Sequence, residues 1–322
     1  MNAAVRDRYG PPDVVELREI DKPKPADDEV LVRVRAVSVN PADWYTLTGP
    51  LIARVPNGLF KPKSNKLGVD FAGTVEAVGA TVTQFRPGDE VFGARSGAFA
   101  EYVCVPADRA VVLKPPNVTF EEAAAVPIAA ITALQGLRDK GHVQPGHKVL
   151  INGASGGVGT FAIQIAKSFG ADVAGVCSTR NVELARSLGA DRVIDYTRED
   201  FTRSGERYDL LLDIAGSRSW SECKRVLKPH ATHVIVGAQK GNRVIGPLGP
   251  IVWLRLASVP SSQKCIFFVA KFNKPDMEIL RELLADQKMK PVIDRRYDWS
   301  DIADAYRYMG EGHARGKIVI TV

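Results

Sequence analysis

The sequence predicts an α/β protein: a six-stranded parallel sheet with helices on both faces, joined to a discontinuous β-rich domain drawn from both ends of the chain. Three observations predict this. Residues 1–118 carry short strands cut by turn signals, strands and helices alternate from Thr119 onward, and beyond about residue 271 the alternation gives way to helices and one closing strand. At 322 residues the chain is long for a single hydrophobic core, so two domains are expected, with boundaries at 1–122 plus 272–322 and at 123–271.

The first segment reads as strands at Asn2–Arg6, Val15–Glu19, Glu29–Val39, Gly73–Val78, Glu90–Phe92, Phe99–Val105 and Ala110–Lys114. Gly10-Pro11-Pro12, Asn40-Pro41 and Pro87-Gly88 break them, a spacing that suggests a small irregular barrel or sandwich. Thr119-Phe120-Glu121-Glu122 is a capping box that opens an Ala-rich helix running to about Leu137. Apolar strands follow at Lys148–Ile151, Val173–Cys177, Arg192–Asp195, Tyr208–Ile214, Thr232–Val236 and Lys264–Val269. Helices are expected between them at Val158–Phe169, Val182–Leu188 and Ser219–Val226. Continuous apolar strands separated by helices indicate a buried parallel sheet, and six of them match the dinucleotide-binding Rossmann arrangement. Helices at Pro275–Ala285 and Ser300–Met309 and a strand at Lys317–Val322 are expected to return to the first domain.

Composition narrows the function classes. Hydrophobic residues make up 45% and charged residues 25%, as in ordinary globular proteins. No run of about 18 apolar residues is present, so no transmembrane helix and no membrane partner are expected. The first residues carry acids and lack the apolar core of a signal peptide, so a cytoplasmic protein is expected. Cys104, Cys177, Cys223 and Cys265 are far apart and form no C-x-x-C pair, so neither a disulfide framework nor a thiolate metal site follows. The net charge of +6 suits an anionic ligand, but the basic residues are scattered and make nucleic acid an improbable partner.

The strongest local signal is HKVLINGASGGVGTFAIQIAKSFGA. A strand ends at Asn152, glycines fall at 153, 156, 157 and 159, and an amphipathic helix begins at once. Strand, glycine turn and helix N-terminus form the context in which a dinucleotide pyrophosphate is bound by backbone N–H groups. Gly153-Ala154-Ser155-Gly156-Gly157 also satisfies the nucleophile elbow G-x-S-x-G, with Asp213 and then His230 or His233 in hydrolase order. No HGGG-type oxyanion segment precedes it, so a serine hydrolase using Ser155 is only an alternative. The turn also fits G-x-x-x-G-x-G of short-chain dehydrogenases, but no Y-x-x-x-K accompanies it. The strand after the turn leads into Ser178-Thr179-Arg180-Asn181 with no acid before Glu183, where NAD enzymes place a carboxylate on the ribose 2′-hydroxyl. Ser178 and Arg180 are therefore expected to hold a 2′-phosphate, which selects NADPH.

Taken together, AVSVNPADW (36–44), GVDFAGTVEAVG (68–79), FRPGDEVFG (85–93), GAFAEYVCV (97–105), AAAVPIAAITALQGL (123–137), the GASGGVG turn and SLGADRVIDY (187–196) resemble the medium-chain dehydrogenase/reductase superfamily, in its quinone-oxidoreductase-like branch. The resemblance runs nearly end to end. It implies an N-terminal GroES-like domain, a Rossmann domain, a cofactor cleft between them and usually a homodimer. It also implies that Ser155, Gly156, Gly157 and Val158 contact NADPH, with Ser178 and Arg180 on the 2′-phosphate and Tyr196 on the adenosine half. Thr132, Gly237, Phe267, Phe268 and Val269 would line the nicotinamide side, and Lys317 would approach the cofactor.

Zinc-dependent relatives carry a Cys near position 43, G-H-E in place of Gly68-Val69-Asp70, and a four-cysteine lobe near residue 95. This chain has none of them, so zinc is not expected. His230-x-x-His233 reads as a turn rather than a site. Without a Lewis acid, a conjugated acceptor is favoured, because its negative charge spreads onto an enolate or quinol oxygen. The expected reaction is reduction of quinones or α,β-unsaturated carbonyls. Asn40 and Tyr45 are the candidates to hydrogen-bond the acceptor oxygen, and Tyr45 is a candidate proton donor. A cofactor-binding interaction or sensor protein with incidental turnover is the reading from a different class.

Overall fold

A computed structural model of the chain describes residues 1–237, 248–259 and 261–322, which include every candidate site residue named above. In chain order the first part holds β1 (Asn2–Val5), β2 (Glu16–Glu19), β3 (Glu29–Val39), α1 (Pro41–Thr48), α2 (Leu51–Asn57), β4 (Asp70–Val78), β5 (Glu90–Ala94), β6 (Tyr102–Pro106), β7 (Val111–Leu113), α3 (Phe120–Ala124) and α4 (Pro127–Gln135). The middle part holds β8 (Lys148–Asn152), α5 (Gly157–Ser168), β9 (Asp172–Cys177), α6 (Val182–Ser187), β10 (Arg192–Asp195), β11 (Tyr208–Asp213), α7 (Trp220–Arg225), β12 (Leu227–Ile235), α8 (Leu248–Ser258) and β13 (Lys264–Phe267). The tail holds α9 (Lys274–Ala285), β14 (Ile293–Asp298), α10 (Ile302–Glu311) and β15 (Lys317–Thr321). Two compact units result, Met1–Ile131 with Lys271–Val322, and Thr132–Ala270.

The first unit is organised by β3, whose eleven residues are mostly buried, with only Arg33 and Arg35 turned to solvent in its middle. Two register shifts let this strand change partners: Glu29–Arg33 pair with β6, while Ala36–Val39 pair antiparallel with β15. The sheet order is β14-β15-β3-β4-β5-β7. The closing strand of the chain therefore lies directly beside the strand that leads into Asn40. Phe71, Phe99, Leu47, Tyr306 and Ile320 fill the core beneath it. Each of the Phe, Leu and Ile side chains contributes roughly 1.5–3 kcal/mol by leaving water.

The second unit is a six-stranded sheet of order β10-β9-β8-β11-β12-β13, parallel throughout. The chain order therefore reverses between β8 and β11, and in open parallel sheets ligands bind outside the carboxyl ends of the strands at that point. Asn152 and Asp213 are those two carboxyl ends.

Several expectations are corrected here. Asn40-Pro41, read as a breaker, starts a helix: Asn40 and Asp43 form a capping box and Pro41 occupies the first helical position. The helix expected from Thr119 to Leu137 is two helices, because Pro127 has no N–H to continue the first, followed by a wide helical turn at Gly136–Lys140. The strand expected over Lys264–Val269 stops at Phe267. His230 and His233, read as a turn, both lie in β12, where His230 takes a positive φ next to Pro229 and His233 is fully buried. Helices α2 and α8 and strand β14 were not expected at all.

Candidate functional site

Two groups of polar residues stand out, one in each unit. In the first unit, β3 delivers Ser38 and Asn40, α1 delivers Asp43, β4 begins at Asp70 and β15 begins at Lys317. All five are buried. The Asp70 carboxylate accepts from Ser38 Oγ at 3.0 Å, from Asn40 Nδ2 at 2.9 Å and from the backbone N–H of Ile128 at 3.1 Å. Lys317 Nζ stands 3.6 Å from Asp70 and donates to Asn40 Oδ1. Asp43 accepts from the backbone N–H of Asn40 at 2.9 Å.

Burial dominates the protonation of this group. It pushes the Asp43 carboxyl up to about 7, with the neighbouring Asp70 charge adding to the effect and the Asn40 and Lys317 contacts opposing it. Burial likewise raises Asp70 and lowers Lys317. Two carboxyls and one ammonium share a water-poor space, which disfavours ionising both carboxyls at once and pushes the Asp43 titration into the neutral range. The Asn40 amide is engaged on both sides, its oxygen by Lys317 and its nitrogen by Asp70 and the Ser38 carbonyl at 3.2 Å. An acceptor oxygen seeking Asn40 must exchange with one of these partners. Tyr45 lies on α1 and is half-buried, and burial raises its phenol above the usual range.

In the second unit the glycine turn follows the expected path. Gly153 takes φ +96°, and its N–H and that of Ala154 donate to the Val176 carbonyl at 3.2 and 3.0 Å. At Gly159 a Cβ would stand 2.1 Å from the Gly153 carbonyl oxygen, so only glycine lets the helix approach the turn. Helix α5 starts at Gly157 with Gly156 as N-cap and no side-chain cap, which leaves its first N–H groups for a ligand. Ser155 Oγ accepts from Asn181 Nδ2 at 2.9 Å, and Ser178 Oγ lies 3.2 Å from the same nitrogen. Asn181 thus ties Ser155 to Ser178, a link the sequence reading missed. Arg180 and Tyr196 are exposed beside it.

Asp195 was also missed. It ends β10, next to Cys177 in register, and accepts from the Thr179 hydroxyl at 2.6 Å. Together with the Thr197 contacts and nearby Arg198, that bond holds the carboxyl below the usual range.

Behind the turn, Asp213 accepts from Asn152 Nδ2 at 2.8 Å and from the Gly216 N–H at 2.9 Å, and His233 Nε2 lies 3.1 Å away. Both loops at the chain reversal are thereby fixed to one buried carboxylate. Burial, the largest single effect, lowers the His233 pKa, but the bond to Asp213 and the Cys265 contact together outweigh it and raise the imidazole to about 9. His233 Nδ1 faces Cys265 Sγ at 3.9 Å, and Trp220 stacks on the ring at 6.0 Å. This arrangement overturns the serine hydrolase alternative. The second imidazole nitrogen meets a cysteine where a triad requires the serine, and the Ser155 hydroxyl is held by Asn181.

The remaining expected cofactor residues are placed as follows. Thr132 is half-buried on α4, and the Gly237 N–H donates to the Asp213 carbonyl at 3.3 Å. Phe267 and Phe268 are half-buried, and Val269, just past β13, is exposed. Lys317 is brought together with Asn40, as described above.

Zinc can be weighed against these geometries. At Asp43 and Asp70 there is neither thiol nor imidazole, and the ammonium of Lys317 lies beside the carboxylate. The donor atoms of Asp213, Cys223 and His233 lie within 4.8 Å of one another, but Asp213 already accepts from two N–H groups and pairs with the imidazole. Neither group fits zinc as it stands.

Comparison with known proteins agrees with both halves of the fold. The family described as alcohol dehydrogenase GroES-like domain matches residues 26–116, and that described as zinc-binding dehydrogenase matches residues 188–320. A chloroplastic quinone-oxidoreductase homolog of Spinacia oleracea is 32% identical, over 97% of this chain and 95% of its own length. An NADPH-dependent alkenal/one oxidoreductase of Arabidopsis thaliana is 34% identical, over 99% of this chain and 79% of its own. The quinone oxidoreductase structure from Coxiella burnetii superimposes with a TM-score of 0.86 at 31% identity, covering 100% of this chain and 99% of that one. With β15 closing a GroES-like sheet and a glycine turn at the reversal of a six-stranded parallel sheet, the chain belongs to the quinone-oxidoreductase-like branch of the medium-chain dehydrogenase/reductase superfamily.

Proposed function

We propose that the protein is a zinc-independent, NADPH-dependent reductase of quinones and α,β-unsaturated carbonyls. The observation that carries this reading is the buried Asn40–Asp70–Lys317 group, where an ammonium occupies polar surroundings that offer a metal no soft ligand. When bound, the cofactor supplies the hydride. The chain's own residues then position the acceptor and meet the charge that grows on its oxygen. Asn40 and Tyr45 are the groups for that oxygen, and burial raises the neighbouring Asp43 carboxyl, which lowers the negative charge around it.

NADPH rather than NADH is supported by Ser178 and Arg180 just past the end of β9, where Asn181 holds the Ser178 hydroxyl. One observation favours NADH: the Asp195 carboxylate stands next to this strand end. Its two threonine hydroxyls and nearby Arg198 satisfy it, and Arg180 is the cation assigned to the phosphate. Ser155, Gly156, Gly157 and Val158 are assigned to the pyrophosphate and Tyr196 to the adenosine. Thr132, Gly237, Phe267, Phe268 and Val269 are assigned to the nicotinamide, which Lys317 would approach. The domain assignment proposed with this reading is 1–122 plus 272–322 for the acceptor and 123–271 for the cofactor. A homodimer and a cytoplasmic location complete the proposal, the latter supported by four free cysteines.

Steady-state oxidation of NADPH against a panel of quinones, enones and primary alcohols tests it, with zinc measured by elemental analysis. Turnover of quinones or enones that survives a chelator is expected. Ethanol oxidation dependent on one zinc per chain would reject the proposal, and cofactor binding without turnover of any acceptor would favour the sensor reading.

A further inference from the structure

From Trp44 to Val69 the chain runs 26 residues with Arg54, Lys61, Lys63 and Lys66 and no acid. The fold does not hide this segment. Leu51 and Val55, one turn apart on α2, are exposed, as is Leu59, and Phe60 is 91% exposed at the tip that follows. Lys61, Lys63 and Lys66 are exposed directly after it, and none of the three pairs with a carboxylate among the described residues.

The tip is held in this shape. Lys63 N–H donates to the Asn57 carbonyl at 2.7 Å and closes the turn that carries Leu59 and Phe60. Tyr9 Oη donates to the Gly58 carbonyl at 2.7 Å. The Arg54 and Arg6 guanidinium groups lie 4.7 and 5.0 Å from the Tyr9 ring centre, and Arg54 Nε donates to the Gly49 carbonyl at 2.7 Å. At the far end Arg6 N–H donates to the Asn65 carbonyl at 2.9 Å. An apolar residue standing this far into water, with its backbone pinned, is unfavourable unless something covers it.

We infer that residues 51–66 dock the protein on an anionic lipid bilayer, with Leu59 and Phe60 entering the headgroup–acyl boundary and Lys61, Lys63 and Lys66 lying against the lipid phosphates. Charge and shape choose this occupant. Protein interfaces are depleted in lysine at their centres, whereas an exposed aromatic followed at once by exposed, carboxylate-free lysines matches an interfacial membrane anchor. This revises the expectation of no membrane partner, which rested on the absence of a spanning helix. It does not depend on the quinone reading, although an acceptor dissolved in lipid would suit both.

The test is co-sedimentation of the full chain with vesicles of phosphatidylcholine alone or mixed with phosphatidylglycerol, at low and raised ionic strength. Binding to the anionic vesicles alone is expected, weakening with salt. Lys61→Gln/Lys63→Gln/Lys66→Gln should lower the partition coefficient by at least about tenfold, from the attraction of three cations to the surface. Phe60→Ser should weaken it independently. Both variants should keep the wild-type melting temperature and turnover of a water-soluble acceptor, which separates this outcome from failure of the reductase proposal. Equal binding to both vesicle types, no binding, or binding unchanged in both variants would overturn the inference. So would a change in oligomer mass by light scattering in Phe60→Ser, which would assign the tip to a second copy. Binding of a labelled oligonucleotide by these lysines, with none to vesicles, would assign them to nucleic acid.

Discussion

Burial at Asp43 has a measurable effect on folding as well as on chemistry. Its carboxyl sits at about 7 in the folded protein, above its ordinary range. A carboxyl raised on folding stabilises fully below its unfolded value of about 3.9, and that contribution is lost as pH rises to about 7. Asp43→Asn keeps an oxygen to accept from the Asn40 N–H and cannot ionise. The melting temperature of this variant should therefore change less than that of the wild type between about pH 4 and pH 7. Parallel melting curves across that window would show that Asp43 does not hold the proton. At the other candidate site, Arg180→Ala should cost about 1.5–3 kcal/mol in NADPH binding, or roughly ten- to a hundredfold in Kd, while NADH binding hardly changes. Equal losses for both cofactors, measured by titration, would make Arg180 a loop support. Arg180 was legible in the sequence, by the missing acid around it, whereas Asp43 was not read as a site residue, because its burial beside Asp70 arises only in the folded sheet. Nor was Asp195, because its proximity to Thr179 arises only when β9 and β10 pair.

Among the elements, legibility followed burial. Glu29–Val39 and Arg192–Asp195 were read with the bounds they have, since each carries the apolar pattern its position in a sheet requires. Strand β14, Ile293–Asp298, was missed because it is a polar strand at the edge of its sheet and carries no such pattern. Helix α1 was missed although the sequence carried its signal: Asn40-Pro41-Ala42-Asp43 is a capping box with proline in the first turn. Strand β12 was read short because Pro229 interrupts it, and the structure absorbs the proline with a register shift opposite β11 and the positive φ of His230. The same strand carries His233 into the core against Asp213. An imidazole raised to about 9 stabilises fully below its unfolded value of about 6.5 and loses that contribution as pH rises through 9. His233→Ala leaves Asp213 buried with one partner fewer, and a loss of about 3–5 kcal/mol is expected by denaturant unfolding near neutrality. The loss should shrink above pH 9, where the wild-type imidazole is itself neutral. A deficit that does not depend on pH would mean the pair is not ionic.

At the scale of the whole molecule, the described residues of the second unit leave one sheet edge unpaired. Strand β13 ends the six-stranded sheet, and among the described residues nothing pairs with its outer edge. Helix α8 packs on β13 and sends Leu254 into the core, while Val252, Trp253, Leu256 and Val259 point outward, with Trp253 73% and Val259 78% exposed. An open edge beside an exposed apolar helix face is costly in a monomer and prone to uncontrolled pairing. A two-fold partner offering the same edge and face would cover both, because an isologous contact places identical surfaces against each other. Of the apolar surfaces exposed among the described residues, this one is therefore proposed for a dimer contact, and the tip at Phe60 for lipid. Trp253→Glu places a charge at the centre of the proposed contact and should convert a dimer to a monomer in light scattering at micromolar concentration. Phe60→Ser should leave the mass unchanged. A wild-type protein that runs as a monomer, or a Trp253→Glu variant that stays dimeric, would place the contact elsewhere on the molecule.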